Sequence, residues 1–123
     1  MKTASTRCAL AATFTAALAA GTAVAAPEPW TVAGRQGMIL QVIVPVAQAK
    51  ERSAYQQQIE ALCRGQETCF VNFYTNSSGA PVALPLPDAI AQEPTAVLRR
   101  SAKQGTEGFR WSCRLALPEP NCF

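Results

Sequence analysis

The stretch that decides the fold is MILQVIVPV at residues 38–46, a nearly continuous apolar run rich in β-branched residues. This composition and length are typical of a strand that is covered on both faces of a sheet. Pro45 ends the run, because proline cannot donate a hydrogen bond to a central strand ladder. On its N-terminal side, WTVA at residues 30–33 predicts a short first strand, and GRQG at residues 34–37 predicts the turn between the two.

On the C-terminal side, the sequence predicts a helix followed by another strand. Four helix residues lie at i, i+4, i+7 and i+8 and form one apolar stripe: Tyr55, Ile59, Leu62 and Cys63. An S-x-x-Q capping box begins at Ser53, and Gly65 supplies the left-handed residue that ends the helix. The next strand is TCFVNFYT at residues 68–75, and the turn NSSG ends it.

The C-terminal third is predicted to hold an extended segment, a second helix and a last strand. Residues 80–87, APVALPLP, contain three prolines and favour an extended path. Asp88 is placed to cap a helix that runs to Gly105, with Pro94 inside it as a kink or a restart. Residues 109–117 alternate between apolar and polar side chains, which indicates a strand with one buried face.

These elements predict an α+β fold, with a small mixed or antiparallel sheet and two helices packed on one face. The four cysteines that follow residue 25 would staple it through two disulfides. We expect Cys63 to pair with Cys69, where the helix end meets the next strand, and Cys113 to pair with Cys122. The stiff Pro118–Pro120 stretch leaves a longer-range pairing of Cys122 open. Metal binding is not expected, because the C-x5-C and C-x8-C spacings and the absence of histidine do not suit zinc.

Residues 1–25 are predicted to be a cleaved secretory signal peptide. Lys2 and Arg7 precede a small-residue apolar stretch and the A-x-A pattern of residues 23–25. The stretch is too rich in alanine and too short of strongly apolar residues for a membrane anchor. We therefore expect a single domain at residues 26–123, periplasmic or secreted, with no stable membrane insertion after cleavage.

The residue types exclude several kinds of catalysis. The chain has no histidine, so a Ser-His-Asp or Cys-His arrangement is impossible. No phosphate-binding or dinucleotide-binding motif is present, and no cofactor is expected. The carboxylates lie outside strand runs and away from the aromatic residues that a sugar-binding cleft would need. The sequence therefore favours a protein that is not an enzyme.

Two groups of residues are candidates for binding. The first is the contact segment at residues 80–87, with Val82, Leu84 and Leu86, although these side chains would equally seal an edge of the core. The second is a basic patch at the end of the predicted second helix: Arg99, Arg100 and Lys103, with Arg110 and Arg114 on the last strand. Cations near a helix C-terminus are explained as well by the helix dipole.

Net charge argues against nucleic acid as a partner. Without Lys2 and Arg7, nine basic side chains face eight acidic ones, a net charge of only +1. The function expected from the sequence is thus a small exported protein-binding module, such as an inhibitor or immunity protein, whose partner is another envelope or secreted protein. A histidine-free hydrolase with paired carboxylates and a structural envelope component are the alternatives.

Overall fold

A computed structural model describes residue 3, residues 11–18, residue 21 and residues 27–123. The predicted cleavage site and the predicted mature start at Ala26 lie outside the described residues, as does most of the predicted signal segment. Within the described part of the chain, every helix is too short or too polar to cross a membrane.

The described residues form a five-stranded mixed sheet and two α-helices. The elements in chain order are β1 (Thr31–Gln36), β2 (Ile39–Ile43), α1 (Arg52–Leu62), β3 (Thr68–Tyr74), α2 (Asp88–Ala91), β4 (Pro94–Ser101) and β5 (Thr106–Trp111). The strands lie side by side in sequence order. β2 and β3 are parallel and are connected through α1, whereas the other three pairs are antiparallel. The predicted α+β fold is confirmed.

The core lies between α1 and one face of the sheet, which we call the helix face. Successive residues of a strand point to opposite faces, so one set of side chains from each strand meets the helix. The buried strand residues of the helix face include Val42, Val71, Phe73, Leu98 and Trp111. From α1, Tyr55 and Ile59 are buried in the same cluster, which confirms the predicted apolar stripe.

Tyr55 is the centre of this core and has no exposed surface. Its ring makes edge-to-face contacts with four aromatic rings at centroid distances of 4.9 to 5.7 Å: Trp30, Phe73, Phe109 and Trp111. Its hydroxyl lies 2.8 Å from the Ala49 carbonyl oxygen and 2.8 Å from Thr95 Oγ1. The tyrosine thus connects α1 to β3, β4 and β5.

Burial raises the pKa of the Tyr55 hydroxyl to about 12, against opposing effects from Thr95 and Arg114. An unfolded tyrosine loses its proton near pH 10, so between about pH 10 and 12 the folded protein holds more protons than the unfolded chain. We expect the free energy of unfolding to be unaffected by this group below pH 10 and to fall as pH rises through that window. Urea titrations at several pH values should show the fall, and Tyr55→Phe should remove the part due to this residue.

The predicted second helix is wrong beyond Ala91. α2 has only four residues, and Pro94 begins β4 rather than kinking a helix. Proline removes a helical hydrogen bond and clashes with the preceding turn, whereas its position at the start of a strand requires no donor. The predicted cap also differs, because Asp88 is the first residue of α2 and Pro87 occupies the cap position.

The last strand is also shorter and begins earlier than predicted. β5 ends at Trp111, and a 3₁₀ turn at Cys113–Leu115 replaces the second half of the predicted strand. The Ser112 hydroxyl accepts a hydrogen bond from the Arg114 N–H and caps this turn. Residues 102–105, predicted as the helix end, instead connect β4 and β5.

Both disulfides form as predicted. Cys63 is bonded to Cys69 with their Cα atoms 5.5 Å apart, and Cys113 is bonded to Cys122 with their Cα atoms 4.9 Å apart. The first bridge joins the end of α1 to β3. The second holds the C-terminal segment, residues 116–123, beside the end of β5.

Candidate functional site

The face of the sheet opposite α1 is the candidate binding surface, and we call it the open face. Its central side chains are Ile39, Gln41, Ile43, Phe70, Asn72, Tyr74, Val97, Arg99 and Arg110, placed there by strand alternation and register. Gln41 is buried, Arg110 is exposed, and the others are half-buried. Covering these half-buried aromatic and aliphatic side chains with a partner would remove more apolar area from water and so favour binding.

Arg99 lies across the open face and is held by neutral groups. Its Nη2 donates to Asn72 Oδ1 at 2.9 Å. Its Nη1 donates to the Leu98 carbonyl oxygen at 2.8 Å and to the Val71 carbonyl oxygen at 3.4 Å. The guanidinium lies 5.5 Å from the centroid of the Phe70 ring, within cation–π range.

Arg110 is held by the C-terminal segment. Its Nε donates to the Asn121 carbonyl oxygen at 3.0 Å, and its Nη2 donates to the Cys122 carbonyl oxygen at 3.1 Å. The Phe123 ring centroid lies 5.9 Å from its guanidinium carbon. The Cys113–Cys122 bridge therefore positions the acceptors of this arginine.

The structure separates the members of the predicted basic patch. Arg99 and Arg100 are neighbours on a strand and point to opposite faces of the sheet. Arg100 makes an ion pair with Glu107, with Nη2 and Oε1 2.8 Å apart. Lys103 is exposed in the turn between β4 and β5. No helix ends here, so the helix-dipole explanation does not apply.

The open face carries Arg99 and Arg110, which sequence reasoning grouped with Arg100, Lys103 and Arg114; it did not predict that these two share a face of the sheet. It placed Arg99 on a helix and Arg110 on a strand, whereas the two lie on adjacent strands. The alternation of Val97 and Arg99 with the buried Ala96 and Leu98 was the available signal. Arg114, the remaining predicted cation, donates to Thr75 Oγ1 at 2.9 Å and to the carbonyl oxygens of Glu93 and Pro94 at the start of β4.

The proline segment, residues 80–87, lies against the β1 side of the open face through Leu84. A Cβ atom at Gly34 would lie 2.5 Å from Leu84 Cδ1, so only glycine leaves room for this contact. Asn76 fixes the start of the segment, accepting from the Ala80 N–H and donating to the Ala80 carbonyl oxygen. Leu84 and Leu86 are half-buried, whereas Val82 is 38% exposed. The segment thus seals part of the sheet and still presents an apolar side chain to solvent.

Gln41 is the unusual polar residue of this surface. It pairs in register with Gly34, beside Leu84, and is 4% exposed. Its Oε1 is buried and has no hydrogen-bond partner among the described residues. Leaving a buried carbonyl oxygen unsatisfied destabilises a fold by about 1–3 kcal/mol.

Replacing Gln41 with methionine should therefore raise the free energy of unfolding by about 1 kcal/mol, because the new side chain is similar in size and has no acceptor to satisfy. Gln58 is the matched control, because both ends of its amide are bonded. Its Oε1 accepts from the backbone N–H of Trp30, and its Nε2 donates to the backbone carbonyl oxygen of Glu28. Gln58→Met should be destabilised by about 1–3 kcal/mol in the same urea titration. Equal losses in both variants would contradict the prediction.

Glu93 is a carboxylate whose neighbours favour its ionised form. Glu93 accepts hydrogen bonds from the Ser77 N–H at 3.0 Å and from Thr75 Oγ1 at 3.2 Å. The Ser77 hydrogen bond, Thr75 and the nearby Arg114 hold the pKa of Glu93 below its ordinary value. A glycosidase requires a carboxyl group with a raised pKa as its general acid. The pKa of Glu93 is shifted in the opposite direction.

A cleft of about 670 Å³ lies beside Trp30, and Pro27 and Pro29 contribute to its lining. Two of its polar side chains are already hydrogen-bonded: Gln48 Oε1 accepts from Trp30 Nε1 at 2.8 Å, and Gln58 satisfies two backbone groups. Within the described residues, no three histidine, cysteine or acidic side chains are grouped to hold a metal ion.

The open face carries residue types that are enriched in protein interfaces. Aromatic rings and arginines are the side chains most enriched at interface hot spots, and here both are held by a sheet. Its arginines can bind carboxylates through paired N–H donors. Comparison of the chain with known protein families, with curated proteins and with solved structures found no match.

Proposed function

We propose that the protein is a small exported protein-binding module, acting as an inhibitor or immunity protein on another protein of the bacterial envelope or the extracellular space. The observation that carries the proposal is that the open face is only partly covered: the proline segment seals its β1 side, and the side chains of β3 and β4 stay half-buried. α1 covers the helix face, while Phe70, Tyr74 and Val97 on the open face are only half-buried. Closing such a surface against a partner removes apolar area from water, which is the main driving force of protein association.

The two disulfides support the location in this proposal, because such bonds form and persist in oxidising compartments. They also hold the surface in shape before binding, which lowers the entropy lost on association. The contacts of two carboxylates give no support to a histidine-free hydrolase, since the pKa of Glu93 is lowered rather than raised and Glu107 is paired with Arg100.

Site-specific photo-cross-linking in the exporting cell tests the proposal. A photoreactive phenylalanine analogue at Val97 probes the open face, and the same analogue at Gln57, exposed on α1, is the matched control. We expect one discrete protein adduct from position 97 and none from position 57. Adducts from position 57 alone would move the interface to the helix, and the absence of adducts from both positions would contradict protein binding.

The contact segment is tested separately with Leu84→Ser. If the segment takes part in binding, the folded fraction of this variant should bind the cross-linked partner more weakly. If stability falls and the affinity of the folded fraction is unchanged, Leu84 only seals the sheet. Val82→Ser is the matched variant at a more exposed position of the same segment.

A further inference from the structure

We propose that the open face binds an acidic segment of its protein partner, whose carboxylates pair with Arg99 and Arg110. This inference rests on the proposed function and specifies the chemistry of the partner. Three observations support it. The two arginines share one face of the sheet, no acidic strand residue shares that face, and hydrogen bonds already hold both side chains.

Strand register places the two arginines on one face, and their guanidinium groups turn to opposite sides: that of Arg99 toward Asn72 on β3 and that of Arg110 toward the C-terminal segment. Val97 lies opposite Arg110 across β4 and β5, and Arg99 lies opposite Gly108. The two arginines are therefore diagonal neighbours on the same face, with backbone positions roughly 7–8 Å apart. Gly108 has no side chain, so the space beside Arg99 on β5 stays open to a ligand.

Charge on this face has one sign. The strand positions that share the open face include no aspartate or glutamate, and their charged residues are Arg99 and Arg110. Among the described residues, the one ion pair within 4.0 Å is that of Arg100 and Glu107 on the opposite face. Arg99 is half-buried and its hydrogen-bond acceptors are all neutral, so its charge is partly removed from water without a counter-charge within 4.0 Å. A carboxylate would supply that compensation through charge-assisted hydrogen bonds.

Both arginines are ordered before any ligand arrives. Asn72 and two backbone carbonyl oxygens hold Arg99, and two carbonyl oxygens of the C-terminal segment hold Arg110. Little side-chain entropy then remains to be lost on binding. The apolar neighbours Phe70 and Val97 favour acidic residues that are interleaved with apolar ones, which points to a protein segment rather than to a polysaccharide.

The probe for this inference is a soluble random copolymer of glutamate and tyrosine, titrated into the ¹⁵N-labelled, oxidised protein. We expect shifts in the amide signals of β3, β4 and β5 and weaker binding at high salt. Affinity should fall at least about tenfold in R99Q/R110Q, because charge-assisted hydrogen bonds are lost. The matched control is K50Q/R64Q, which removes the same charge from exposed residues outside the open face and should bind like the wild type. Arg110→Gln alone is the second variant, since this exposed residue can be changed without disturbing Asn72.

Equal losses in R99Q/R110Q and K50Q/R64Q would overturn the inference, because attraction would then depend on net charge alone. No binding of the copolymer would overturn it as well. If dextran sulfate displaces the bound copolymer at a concentration below that of the copolymer, the ligand is an anionic polysaccharide and the proposed acidic protein segment is contradicted. If the position-97 adduct persists in R99Q/R110Q, the proposed function stands and this inference fails. If neither position 97 nor position 57 gives an adduct in the wild-type background, the proposed function itself fails.

Discussion

Replacing Tyr55 with alanine should lower the free energy of unfolding by about 3–5 kcal/mol, the largest loss expected from a single change in this protein. The side chain is fully buried, and its removal leaves a cavity between four aromatic rings. The lost hydroxyl also leaves the Ala49 carbonyl oxygen and Thr95 Oγ1 without this partner. Small domains are stable by only about 5–15 kcal/mol, so this variant would be largely unfolded in mild urea.

Tyr55→Phe separates the two contributions. Phenylalanine keeps the ring and its edge-to-face contacts, so only the hydrogen bonds are lost, at about 1–2 kcal/mol. Urea titration followed by far-ultraviolet circular dichroism measures both variants on the same scale. An alanine variant as stable as the phenylalanine variant would show that the rings close over the cavity and that Tyr55 is not the centre of the core.

The central part of the fold could be predicted because its signals are local. The apolar run at residues 38–46 contains the shorter β2, the helical stripe that begins at Tyr55 lies on α1, and the strand predicted at residues 68–75 is β3 to within one residue. Both disulfides were predictable for the same reason, since each joins elements that are close in sequence.

The region after Asp88 could not be predicted in this way, because two periodicities overlap there. Ile90, Val97 and Leu98 fit a helical stripe, while Ala96 and Leu98 fit a strand whose alternate residues are buried. Pairing decides between them: β4 hydrogen-bonds to β3 on one side and β5 on the other, which places it inside the sheet. Such non-local pairing overrides local propensity and leaves no mark in a short window of sequence.

The same pairing explains why the candidate site was only partly predicted. Val82, Leu84 and Leu86 were identified from their composition, and the structure places Leu84 against Gly34. Arg99 and Arg110 were both identified, but in a patch with Arg100, which lies on the other face. The neighbour that matters is Arg110, and its position depends on the β4–β5 register rather than on distance along the chain.

Replacing both Cys113 and Cys122 with alanine should lower the free energy of unfolding by about 2–3 kcal/mol, because the unfolded chain regains the freedom of a short closed loop. The Cys63→Ala/Cys69→Ala variant loses a loop of similar size and should be destabilised by a similar amount. Urea titration of the two double variants tests the global effect. A loss well below 1 kcal/mol in the first variant would mean that the C-terminal segment is already ordered by other contacts.

The two double variants should differ locally, and this difference connects stability to binding. The Phe123 N–H donates to the Trp111 carbonyl oxygen, and the Cys113 N–H donates to the Phe123 carbonyl oxygen. Without the Cys113–Cys122 bridge, we expect these amides to exchange with solvent faster than the rest of the sheet, and Arg110 to lose its carbonyl acceptors. Affinity for the glutamate–tyrosine copolymer should then fall in that variant alone. If the Phe123 amide stays protected and affinity is unchanged, strand pairing rather than the disulfide positions Arg110.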